Sequence, residues 1–186
     1  MTGGAVAEAV EAIGASASAL AVLARRGTAG PALSGAESGG DQTDPLQERT
    51  DAWLDALAEV ATLEARVAAL KVQLAAELAA TDTAMAPPAE SPPDRVVRQM
   101  SLTAEVAGAL TVSEGSAARF LEESARLSTD LPLTLAALGS GTISWQHGRI
   151  MCDETDGLEP ERPRLLRCIS WTRTRQGLPG VARPGS

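Results

Sequence analysis

Residues 102–149 read LTAEVAGALTVSEGSAARFLEESARLSTDLPLTLAALGSGTISWQHGR, and this stretch decides the fold. Three helical patterns follow one another in it. They are separated by Thr111-Val112-Ser113, by Ser128-Thr129-Asp130-Leu131-Pro132 and by Gly139-Ser140-Gly141-Thr142. Ser113 is placed to cap the second pattern, Glu114–Leu127. Asp130 and Pro132 are placed to open the third, Gly139 to close it, and Thr142 or Ser144 to cap a last helix carrying Trp145, Ile150 and Met151. No region alternates for long like a strand. The expectation is an all-α fold.

Upstream, residues 50–81 carry the clearest single helical pattern. Thr50 and Asp51 are candidate N-caps, and no Gly or Pro occurs from Asp51 to Thr83. Leu57, Val60, Leu63, Val67, Leu70, Leu74 and Leu78 recur at three- and four-residue steps and form an apolar stripe. The expected role is a long scaffold helix, with its Leu57/Val60/Val67/Leu74 face covered by the helices of 103–151. Self-association through residues 51–80 is the second role such a helix can serve. The paired prolines of residues 86–94 (APPAESPPD) break the pattern. A helix from about Pro93 to Met100 and a short helix over Thr103–Leu110 are expected after the break.

Composition bounds the rest. The chain has 186 residues, enough for one domain, with 44% hydrophobic residues but only 2% aromatic: Phe120, Trp53, Trp145 and Trp171. Such a core rests on Leu, Val and Ala, which suit close helix packing better than a deep aromatic pocket. The net charge of −8 is uneven: ten Arg/Lys stand against 22 Asp/Glu over residues 1–157, and six Arg against two Glu over 158–186. An acidic body does not draw in nucleic acid by its overall field. Residues 3–26 are alanine-rich and weakly helical, and Glu8, Glu11 and Gly14 interrupt them, so a membrane span is not expected there. Residues 27–45 have linker composition. No signal peptide is read at the N-terminus. A cytoplasmic location with Cys152 and Cys168 as free thiols is the expectation.

Several motifs invite a chemical reading. Thr103–Leu121 has the layout of a helix-turn-helix, with Val106, Ala107, Leu110, Ala117 and Phe120 in packing positions. Its candidate DNA-contacting residues are Ser113, Ser116 and Arg119. Glu122 and Glu123 oppose phosphate, Thr111 stands where that motif usually has glycine, and a plain helical hairpin explains the same pattern. His147 and Cys152 are five residues apart, which does not place them on one helix face, and no third group orients such a pair. A packed or exposed histidine is the expectation, with no cofactor and no metal. The Gly139–Thr142 loop lacks the lysine of a phosphate loop and reads as a turn. The pairs Glu122-Glu123 and Asp153-Glu154 are expected on solvated faces.

The order of these pieces resembles a family. Leu54–Leu78, Glu105–Leu110, Ala125–Leu138 and Gly141–Asp156 are similar to domain of unknown function 222, over about residues 46–157. The Leu-Pro-x-Thr-x-x-x-Leu run at Leu131–Leu138 and the Gly-x-Ile-x-x-x-His-x-x-Ile run at Gly141–Ile150 carry most of the likeness. The resemblance implies an all-helical actinobacterial domain, with no catalytic residues to carry over, that usually sits upstream of an HNH endonuclease domain. A nuclease module of that type needs histidines and usually an asparagine around a metal. The chain has no asparagine and no histidine beyond His147.

The expected protein is therefore a non-catalytic accessory domain or truncated remnant, with DNA helper binding through 103–121 as the alternative. Its expected parts are residues 1–45 as an N-terminal segment and linker, 46–157 as the helical domain, and 158–186 as a basic, disordered tail. The tail reads as a frameshift product, because codons can be chosen for Leu166–Gln176 whose overlapping frame resembles the family's continuation.

Overall fold

The computed structural model describes residues 3–28, 44–87 and 91–155. The expected disordered tail, the middle of the expected linker and Cys168 lie outside the described residues. Within them the fold is all-helical, as expected: α1 (Gly3–Thr28), α2 (Pro45–Ala84), α3 (Pro92–Leu110), α4 (Glu114–Thr129), α5 (Pro132–Gly139) and α6 (Trp145–Glu154).

α2 is the scaffold, and it is longer than expected. Asp44, not Thr50 or Asp51, is its N-cap, accepting from the Leu46 amide, and Pro45 sits in the first turn, where its missing N–H costs nothing. At 40 residues it spans about 60 Å. One side packs on α4, α5 and α6, and another on α1. The buried stripe is Ala65, Ala69, Val72 and Ala75, with Val72 fully enclosed. This corrects the expectation that the leucine face is covered: Leu57 is 65% and Leu74 49% exposed. Alanines let the flanking helices approach closely, so the short side chains form the seam and the long ones stay outside it.

α1 runs antiparallel to α2. The Arg66 guanidinium donates to the Ala12 carbonyl at 3.2 Å and to the Ser16 hydroxyl, while Gly27 lies flat against the Trp53 ring. By length and composition Gly4–Thr28 is apolar enough to cross a bilayer, with a mean hydropathy of 1.6, which the reading from Glu8 and Glu11 discounted. In the folded chain it packs along α2.

α3 is one helix where two were expected. Ser91 caps it, accepting from the Asp94 amide. The break expected before Thr103 does not occur: the helix runs unbroken from Pro92 to Leu110, and within it the Thr103 hydroxyl donates back to the Gln99 carbonyl at 2.9 Å. Val106, Ala107 and Ala117 form the buried contact between α3 and α4, with Leu110 and Phe120 packed against it, as the sequence pattern indicates. Thr111 takes the left-handed conformation at the turn, φ 57°, which is the role glycine usually fills there.

α5 opens without a side-chain cap. Leu131 occupies the cap position and is buried, while Asp130, expected to open α5, instead terminates α4. The main core joins Leu127, Leu131, Leu135 and Leu138 to the alanine seam of α2, with Ile143, Trp145 and Met151 against it. The α5–α6 turn meets α2 at Thr62. Gly141 has φ +79°, and a Cβ there would stand 2.5 Å from Thr62 Cγ2. Gly141→Ala is expected to cost about 2–3 kcal/mol from left-handed strain and this clash together. Thr62→Ser, which removes the clashing methyl, should recover part of that loss, read as the shift in urea midpoint across the double-mutant cycle.

Candidate functional site

The residues that carry the family likeness have structural duties. In the Leu131–Leu138 run, Leu131, Thr134, Leu135 and Leu138 are all buried. In the Gly141–Ile150 run, Gly141 makes the turn and Ser144 caps α6. Trp145 meets Phe120 edge-to-face at 5.9 Å. Gly148 is buried with its Cα side against the Trp145 ring. His147 is exposed, and its Nδ1 lies 2.8 Å from the Ser144 hydroxyl. The histidine is thus part of a helix cap.

Of the three candidate DNA-contacting residues, Ser113 and Ser116 sit together on the first turn of α4. Ser113 Oγ accepts from the Ser116 amide at 3.2 Å and lies 2.9 Å from the Ser116 hydroxyl. Both are exposed. Arg119 is not free beside them. Its Nε donates to Glu123 Oε1 at 2.8 Å and its Nη2 donates to both oxygens of Asp153, at 3.1 and 3.3 Å. Hydrogen bonding to Glu123, then the negative charge of Asp153, raises the pKa of Arg119 further above its ordinary value.

The sequence reading missed the centre of this cluster. Glu123, expected on a solvated face, is only 6% exposed. Arg149 Nε donates to the same Oε1 at 3.0 Å, so one carboxylate ties α4 to α6 through two guanidiniums. The signal was present in the spacing: Arg119 and Glu123, like Arg149 and Asp153, stand four apart and so face alike on their helices.

This cluster borders an open groove of about 1310 Å3 between the end of α2, the first half of α3, α4 and α6. Arg95, Arg98, Arg119 and Arg126 line it, and so do Asp82, Glu122, Glu123 and Asp153. Arg98 is ion-paired with Asp82. Cation and carboxylate balance along the groove, which does not suit a phosphate backbone. Cys152 also lines it, but the residue is buried. Burial pushes its thiol up to about 11, against a smaller opposing pull from Arg126. A thiol so poised is a poor nucleophile at neutral pH. Among the described residues no group of three or more His, Cys, Asp or Glu could hold a metal ion.

The raised thiol has a consequence for stability. The unfolded thiol ionises near its ordinary value of 9.0 and the folded one near 11. The stabilisation is therefore whole below pH 9 and declines as pH rises from 9 to 11, by about 2–3 kcal/mol in all. Urea unfolding at pH 8 and pH 11 should show this decline in the full chain and a smaller one in Cys152→Ala.

These motifs decide the family. The chain belongs to the family Domain of unknown function (DUF222), which matches residues 54–166. The DUF222 match covers α3 to α6 entirely, with most of α2, against the span of about 46–157 expected from the resemblance. No curated protein matches the chain. No solved structure matches it either.

Proposed function

We propose that this DUF222 chain is a non-catalytic helical accessory domain of an HNH-endonuclease-type protein. The observation that carries this reading is the employment of the family's signature residues. Leu131, Thr134, Leu135 and Leu138 fill the core, Gly141 makes a turn, His147 joins a cap and Arg149 holds Glu123. A cytoplasmic location without membrane attachment goes with this reading.

The test is incubation of the purified chain with supercoiled plasmid and Mg2+, Mn2+, Ni2+ or Zn2+ in turn. Intact plasmid is expected in every case. Nicking that co-purifies with the chain and persists in His147→Ala would refute the non-catalytic assignment.

A second reading, DNA helper binding through residues 103–121, rests on the exposed Ser113 and Ser116 at the N-terminus of α4. The engagement of Arg119 by Glu123 and Asp153 argues against it. Fluorescence anisotropy with a labelled duplex at 50 and 200 mM salt separates the two readings. The accessory-domain reading expects no association tighter than about 10 μM, within the range of non-specific binding. Tighter, salt-dependent binding that is lost in Ser116→Ala and Arg119→Ala would establish the helper role.

A further inference from the structure

We infer that the α1–α2 hairpin is the docking surface for a second copy of this chain, packed antiparallel across a two-fold axis. The inference starts from the leucine stripe that the rest of the fold leaves open. Leu57, Val60, Glu64, Val67, Lys71, Leu74 and Leu78 follow one another at alternating three- and four-residue steps, a heptad seam along one side of α2. Leu57, Leu74 and Leu78 are exposed, while Val60 and Val67 are half-buried at the edge of α1. The antiparallel register, with Ala12 and Ser16 at Arg66 and Gly27 at Trp53, puts α1 beside this stripe along its length. Helical spacing then brings Val10, Ala17 and Ala21 of α1 to the same side, and all three are exposed. Only 6% of the apolar α1 window is buried within the chain. The combined face is about 32 Å long from Leu57 to Leu78 and about 20 Å across. That is on the scale of the roughly 800 Å2 each partner contributes to a stable interface.

The charges within the seam identify the occupant. Glu64 and Lys71 lie one heptad apart, both exposed, and neither has an ion-pair partner within its own helix or elsewhere among the described residues. Lys71 is the only lysine in the chain. A parallel pair of copies would set Glu64 against Glu64 and Lys71 against Lys71. An antiparallel pair centred near Val67 sets each Glu64 within reach of the partner's Lys71 twice over. It also lays Leu57 near the partner's Leu74 and Leu78. The face is therefore complementary to itself in one orientation only, which is the requirement of a two-fold interface. A lipid surface suits it less well, because helices that lie in a membrane interface are bordered by Lys and Arg. Here Glu64 sits inside the stripe, and Glu8 and Glu11 stand on α1.

The experiment is sedimentation equilibrium on the full chain, with circular dichroism as the fold control. A dimer is expected. Leu57→Glu should weaken it by about a hundredfold or more, since two buried leucines are lost per dimer. Lys71→Glu should weaken it about tenfold by turning two pairs into repulsions. The combination of Glu64→Lys with Lys71→Glu should restore association to near the starting value. That recovery is specific to the antiparallel register and does not depend on how well Leu57→Glu folds. A monomer at high micromolar concentration would overturn the inference. So would a dimer indifferent to all of these changes, or a double swap that fails to recover. Binding of a monomeric chain to phosphatidylglycerol vesicles would also overturn it and assign the face to lipid.

Discussion

Leu138→Ala is expected to lower the unfolding free energy by about 3–5 kcal/mol, the upper part of the range for leucine truncation in a core. Leu138 is fully enclosed in the cluster that joins α5 to the alanine seam of α2. It shares that cluster with Val72, Leu127 and Leu135, and Ile143, Trp145 and Met151 pack against it. In a domain whose total stability is on the order of 5–15 kcal/mol, that loss brings the chain close to unfolding at ordinary temperatures. Leu57→Ala makes the contrast. Leu57 is 65% exposed within the chain, so under conditions where the chain is monomeric its truncation should change stability by less than about 0.5 kcal/mol. Denaturant titration of the two variants side by side decides the matter. Equal losses would mean that the leucine stripe, and not the alanine seam, faces the core.

That contrast also shows what could be read from the sequence. Two apolar stripes wind along α2, both with helical spacing. Hydrophobicity favours the leucines, and on that ground they are the expected core. The choice fails because α2 is packed from two sides, by α1 and by α4–α6, and close approach from two sides selects alanine. Nothing local to α2 announces that α1 lies on it, since α1 reads as a weak, alanine-rich segment. The α3–α4 hairpin was legible because its signals are local. Ser113 caps, Thr111 turns, and Val106, Ala107 and Ala117 meet at helical spacing. The α5–α6 turn was legible for the same reason, through Gly141 and Ser144. The Glu123 cluster was only half legible. Its i,i+4 partner Arg119 stands on the same helix, but Arg149 comes from 26 residues further on and is brought in only by the fold.

Glu123→Ala is the second large effect. Glu123 is the one buried member of its cluster; its side chain is 8% exposed, against 51% for Arg119 and 31% for Arg149. Removing the carboxylate leaves two guanidiniums facing each other across the α4–α6 contact with only Asp153 to balance them. A fully buried pair broken in this way costs about 3–5 kcal/mol, and the partial exposure of both arginines reduces the expectation here to about 2–3 kcal/mol. Arg119→Ala should cost far less, because Glu123 keeps Arg149 and the removed charge was half in water. The asymmetry is the test of the cluster's role, since a merely superficial pair would lose the same amount from either end.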